Sequence, residues 1–239
     1  MSGHSKWSTI KRKKGAADAK RGVIFTRLSK DITLAAKQGG GSIDMNPTLR
    51  LAVKKAKSAN MPSSNIEKAI KKGTGELPGI IYEDYLYEGY GPKSVAILIE
   101  VMTDNKNRTL PEIRSIMTKN GGNLGESGCV SWIFEKKGIL TIQVTNITED
   151  DLMNFLDNIE VEDIIFHDDY YEIIIKPDDF ASTSKVFDDN AIDYDGEISL
   201  VAQNQVELSK DDADKVIKLL ELIEDHEDVQ KVHTNFEII

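Results

Sequence analysis

One cysteine in 239 residues, Cys129, rules out a disulfide framework and a thiolate metal cluster within one chain. No apolar run approaches the roughly 18 residues that a membrane span requires, so no membrane partner is expected. The N-terminus lacks the hydrophobic stretch of a secretory signal. Trp7 and Ile10 are the only large apolar residues after Met1 in the first 17, too few for an amphipathic transit peptide. Cytoplasmic residence is the expectation.

Catalytic signatures are also missing. There is no zincin histidine pair, no CxxC, no GxSxG and no Walker lysine motif. The four histidines, His4, His167, His226 and His233, are scattered without an evident triad partner. "NGGNLGESG" at 120–128 is rich in glycine but runs from a helix into a strand. A phosphate loop needs the reverse order, with a helix N-terminus facing the phosphate. "DYDG" at 193–196 has Ala191 and Ala202 where a calcium loop needs ligands. No catalytic residue, metal ligand or cofactor is assigned, and the chain is not expected to be an enzyme.

What the chain does have is a charge split. Residues 1–75 hold 17 Lys or Arg against 4 Asp or Glu, a net of +13, whereas the remainder carries -23. Such asymmetry reads as a cationic module joined to an acidic body. "KWSTIKRKKGAADAKRG" at 6–22 leads the cationic part. Behind it, residues 20–38 read as a helix with Phe25, Leu28, Ile32, Ala35 and Ala36 on one face. Lys20, Arg27, Lys30 and Lys37 fall on the opposite arc. A second helix starts at Asn46-Pro47, with Leu49, Ala52, Val53 and Ala56 inward and Arg50, Lys54 and Lys57 as a basic stripe. A third follows "MPSS", with Ser64 and Glu67 as a capping box, Ile66, Ala69 and Ile70 inward, and Gly73 as its stop. These three helices predict a small bundle.

After "GTGELPG" at 73–79 the pattern becomes α+β. Residues 80–88 and 94–103 read as a strand pair, and 109–120 as a helix with Thr109 and Glu112 as a capping box. A second pair at 129–136 and 138–145 turns around "KKG". A helix at 148–158, strands near 161–167 and 170–176, a helix near 178–190 and a strand near 194–202 follow. A helix at 210–225 and a strand at 228–238 close the chain. The order suggests one α/β sandwich inserted into another: residues 1–75, then 80–128 with 204–239, then 129–203 as the insert.

Basic stripes on two helices and in the arm point to a polyanion, because phosphates attract Lys and Arg largely without sequence preference. The acidic body repels the same polymer, which confines contact to one end. Trp7, set among Lys6, Lys11 and Arg12, is either a base-stacking ring or a local core residue. "TDNKNRT" at 103–109 is the notable polar stretch of the body. Asp104, Asn105, Asn107 and Arg108 form a possible second site there, against the plainer reading of a turn and helix cap.

"GHSKWSTIKRKKGAADAKRGVIFTRLSKDI", "AAKQGGGSIDMNPTLRLAVKKAKSANMP", "YEGYGP", "TDNKNRT" and "NGGNLGESGCVSWIFEKKG" together resemble the YebC/PmpR family in the family's order. The resemblance covers essentially the whole chain and implies a helical domain followed by two ferredoxin-like domains, one inserted in the other. It implies nucleic-acid binding, with Lys6, Trp7, Lys11, Lys13, Lys14, Lys20, Arg21 and Lys30 as candidates. Arg12, Arg27, Arg50, Lys54 and Lys57 join them from the stripes. Family members are described as DNA-binding transcriptional regulators, and a related mitochondrial protein activates translation of cytochrome c oxidase. The expected partner is therefore DNA, with ribosomal RNA and relief of stalled translation as the alternative. A small-molecule enzyme built around "TDNKNRT" is the distant third reading. The transcription machinery or the ribosome would be the wider partner.

Overall fold

Apolar residues at three- and four-residue steps close the first helices on one another. The computed structural model describes residues 21–77, 82–157 and 159–239. The helices are α1 (Arg21–Gly39), α2 (Pro47–Ser58) and α3 (Ser63–Gly73). Ile32, Ala35, Ala36, Leu49, Val53, Ala56, Ile66 and Ala69 form their core as the spacing predicts, with Met61 added from the α2–α3 turn. Asn46 ties two helix ends together. Its side chain accepts from Leu49 N at 3.0 Å and donates to Ala35 O at 2.8 Å and Gly40 O at 2.9 Å. The Ser64–Glu67 capping box does not form, because α3 starts two residues earlier, at Ser63 after Pro62, with no side-chain cap. Gly73 lets α3 cross α1 closely: a Cβ there would stand 2.4 Å from Thr33 O.

The body begins with β1 (Glu83–Tyr90), β2 (Ala96–Thr103), α4 (Lys106–Lys119) and β3 (Asn123–Leu124). It continues with β4 (Phe134–Gln143), α5 (Glu149–Leu156), β5 (Asp163–Phe166), β6 (Tyr170–Ile175), α6 (Phe180–Asp189) and β7 (Asp195–Ala202). It ends with β8 (Val206–Leu208), α7 (Lys210–Glu224), β9 (Val229–Thr234) and β10 (Phe236–Ile238). The result is a mixed α+β molecule with a helical N-terminal region and two antiparallel sheets. Among the described residues no helix is long and apolar enough to cross a membrane.

The first sheet has the order β3-β1-β2-β9 and the second β5-β6-β4-β7, with every neighbour antiparallel. The strands of the second lie between β3 and β8 in sequence. Its β-α-β-β-α-β path with β4 and β6 central is ferredoxin-like. The first sheet has the same two-layer build on a different path, β-β-α-β and later α-β. Alternation along β2 sends Ile97, Ile99 and Val101 under the residues of α4 and α7. It sends Ala96 and Leu98 to the other face, against Val130, Ile133, Phe134 and Ala202.

Two expectations fail for physical reasons. "KKG" is not a turn, and β4 runs straight through it. Gly138 is there for clearance, since a Cβ would meet Ile175 Cγ1 at 2.7 Å and Phe180 Cδ2 at 3.1 Å. The last strand breaks at Asn235, whose side chain accepts Ala96 N at 2.8 Å. Beyond it β10 pairs in parallel with β8.

The glycine-rich loop turns its amides on an internal carboxylate. Glu88 of β1, 4% exposed, accepts from Gly128 N at 2.7 Å and from Val130 N and Ser131 N at 2.8 Å. Burial pushes its pKa up, but the backbone donors outweigh that and hold it below the ordinary range. Replacing Glu88 with Ala should leave buried amides without an acceptor and lower unfolding stability by about 3 kcal/mol in urea titrations. A loss under about 0.5 kcal/mol would mean the loop does not depend on the carboxylate.

Candidate nucleic-acid interface

A helix that buries one arc in its own bundle still has to place the other. In α1 the outer arc does not face water throughout. Lys30 is 4% exposed, and its ammonium donates to Asp228 Oδ1 at 3.0 Å and to Met102 O and Glu227 O at 2.9 Å. All three of its protons are used inside the protein. The sequence reading of Lys30 as a phosphate ligand is corrected here: it fastens the bundle to the body. Arg27, one turn earlier, is partly buried, and its Nε and one terminal nitrogen have no hydrogen-bond partner among the described residues.

Asp228 is the centre of this joint. Its second oxygen accepts from Thr109 Oγ1 at 2.7 Å, Arg108 Nη2 at 2.8 Å and Thr103 Oγ1 at 3.0 Å. Burial pushes its pKa up, but Arg108, Thr109 and Lys30 outweigh it, and the carboxyl stays well below the ordinary range. "TDNKNRT" is organised around the same group. Asn105, not Thr109, caps α4, accepting from Arg108 N at 3.2 Å. Asp104 meets Arg108 at 3.4 Å, and Asn107 is exposed. The turn-and-cap reading therefore accounts for Asn105, and the hydroxyl of Thr109 goes to Asp228.

The stripe of α2 is also engaged. Arg50 pairs with Asp188 at 2.6 Å and Lys54 with Asp193 at 2.5 Å. Lys55 reaches Glu197 at 3.3 Å, which Lys231 also meets at 3.3 Å. Between these cations Leu51 is buried in the core of the second sheet's unit. Asp31 faces the same cluster. Burial raises its pKa even though Lys231 and Lys55 pull it down. Glu100 beside it is lowered, because the bond from His233 at 2.7 Å and the neighbouring cations outweigh burial. The Arg50 and Lys54 pairs are solvent-exposed and worth about 1 kcal/mol or less each.

Cations without such partners lie elsewhere. Lys37 of α1, Lys57 of α2, and Lys68, Lys71 and Lys72 of α3 are exposed. No ion pair or hydrogen bond engages their side chains among the described residues. Lys6, Trp7, Lys11, Arg12, Lys13, Lys14 and Lys20 lie outside the described residues, and Arg21 opens α1. The α3 lysines were legible as a basic run, "EKAIKKG", at the spacing that had marked the other stripes. Asp228 and Glu88 had no comparable signal. Among the described residues no cluster of three or more His, Cys, Asp or Glu could hold a metal ion.

The joint makes acid sensitivity predictable. Asp228 has a depressed folded pKa, so its stabilisation is complete above the unfolded carboxylate range and fades as pH falls below about 4. Wild type should lose stability more steeply between pH 5 and 2 than Asp228→Asn in acid denaturation series. Asp228→Ala strands the Lys30 ammonium and should cost about 3–5 kcal/mol at neutral pH, much of it recovered by adding Lys30→Met.

The TACO1/YebC protein N-terminal domain matches residues 5–76, and the TACO1/YebC second and third domain matches residues 82–236. A probable transcriptional regulatory protein of Dictyoglomus turgidum is 51% identical over 241 residues, covering 100% of this chain and 96% of its own. One from Desulfotalea psychrophila is 52% identical over 240 residues, with the same coverage of 100% and 96%. The crystal structure of a conserved hypothetical protein from Aquifex aeolicus superimposes with a TM-score of 0.83 at 40% identity, covering 93% of this chain and 92% of that one. The two matched segments meet where the helical part gives way to the sheets and the charge changes sign, and the chain belongs to the TACO1/YebC family.

Proposed function

We propose that this protein is a nucleic-acid-binding regulator of gene expression, acting as a DNA-binding transcriptional regulator in the cytoplasm. It works by binding, without catalysis by its side chains. The observation that carries this reading is the separation of charge: +13 over residues 1–75 against -23 over the rest. Close relatives bear the name probable transcriptional regulatory protein, which supports the same reading.

The basic end supplies phosphate contacts, and counterion release drives association. The acidic body keeps the polymer from wrapping further and orients the chain on it. Among the described helices none has the features of a recognition helix, so backbone contact is the main source of affinity. Lys11, Arg12, Lys13 and Lys14 add four further cations to the same basic segment of the sequence.

Electrophoretic shifts on promoter and scrambled duplexes at physiological salt test the reading. Retardation of both duplexes is expected from backbone contact, any excess on the promoter measures the site-specific part, and retardation of neither would overturn the reading. Replacing Lys11, Arg12, Lys13 and Lys14 with Ala should flatten the dependence of log affinity on log salt by about 3 to 4. An unchanged slope would remove the arm from the contact.

A further inference from the structure

Of the lysines left unpaired on α1 and α3, Lys37, Lys68 and Lys72 border one trough. It consists of two adjoining cavities of about 320 and 290 Å³ that share Thr33, Lys72 and Tyr82. Gly73 sets the close crossing of α1 and α3 that forms its floor. Each cavity lies near the lower bound of small-ligand sites, roughly 300–1,000 Å³. That is enough for one nucleotide and too narrow for a duplex.

The two ends differ in chemistry. The first is lined by Thr26, Ser29, Asn65, Lys68 and Lys72, and among the described residues no carboxylate lines it. Lys30 borders it too, but its ammonium is committed to Asp228. The second is walled by Leu34, Leu77 and Met102, with Asp84 and Lys37 at its edge. Burial raises the pKa of Asp84 while Lys37 pulls it down. Tyr82 stands at the waist, its ring 5.4 Å from the Lys30 ammonium. A ligand suited to both ends has an anion beside a flat ring that carries N–H donors.

We propose that this trough binds one nucleotide of an unpaired nucleic-acid strand. The phosphate lies on Lys68 and Lys72, the base lies against Leu34, Leu77 and Met102, and Asp84 accepts from the base edge. In a duplex the base is stacked and paired and cannot enter, so the trough selects single strands. This rests on the nucleic-acid-binding reading above and adds the form of nucleic acid and the surface that takes it.

The test uses the full chain and a fluorescein-labelled 20-nucleotide single strand of mixed sequence, with its duplex as the comparison, read by anisotropy. Lys68→Ala with Lys72→Ala should weaken single-strand binding about tenfold and flatten its salt slope by about 1.4, with at most about a threefold effect on the duplex. A second measurement needs no substitution: a strand carrying 4-thiothymidine, photocrosslinked to wild type and mapped by mass spectrometry, should attach at Tyr82, Leu77 or Met102. Equal losses on both forms, no loss on either, or crosslinks confined to other surfaces would overturn the trough while leaving nucleic-acid binding intact. Failure of wild type to bind either form would overturn both.

Discussion

One buried carboxylate holds the helical unit to the body. Asp228 receives an ammonium from α1, a guanidinium and a hydroxyl from α4, and a hydroxyl from β2. Removing such charges from water is costly, and the cost is offset only when every lone pair and proton finds a partner. Here they do, because Met102 O and Glu227 O take the remaining protons of Lys30. The position of α1 on the sheet, the start of α4 and the entry to β9 are thus set by one group. The surface that α1 and α3 leave open follows from that placement.

The body's acidity acts in two ways. At long range it repels polyanions from most of the molecule. At short range Asp188, Asp193 and Glu197 take up cations of α2 that would otherwise face solvent. The net charge of the helical unit therefore overstates how many of its cations are open to a partner. What remains is concentrated on α3 and the end of α1, where among the described residues Asp84 of β1 is the carboxylate that lines the trough.

Much of the fold is legible in the residues because the signals are local. The 3.6-residue period identifies Ile32, Leu49 and Ile66 as core, and Asn46-Pro47 marks the start of α2 with a cap the structure contains. The misses are cases where tertiary packing overrides a local sign. Lys136-Lys137-Gly138 has turn composition, yet Ile175 and Phe180 press on Gly138 and the strand continues. Thr109 has the place of a cap, yet a buried aspartate has the stronger claim on its hydroxyl. Lys30 shows the general limit. Periodicity tells which arc of a helix avoids its own bundle and says nothing of whether that arc meets water or a second domain. Asp228 and Glu88 matter through partners more than 30 residues away, which no window along the chain contains.

The two attachments of the helical unit differ in kind. The Lys30–Asp228 contact is sealed from solvent, so added salt screens it little. The Arg50 and Lys54 pairs are open to water, and a phosphate polymer offers those cations the same charge at similar distance. Rising ionic strength therefore weakens the exposed pairs while sparing the buried one, and Leu51, buried in the core of the second sheet's unit, stays as the apolar part of that second attachment.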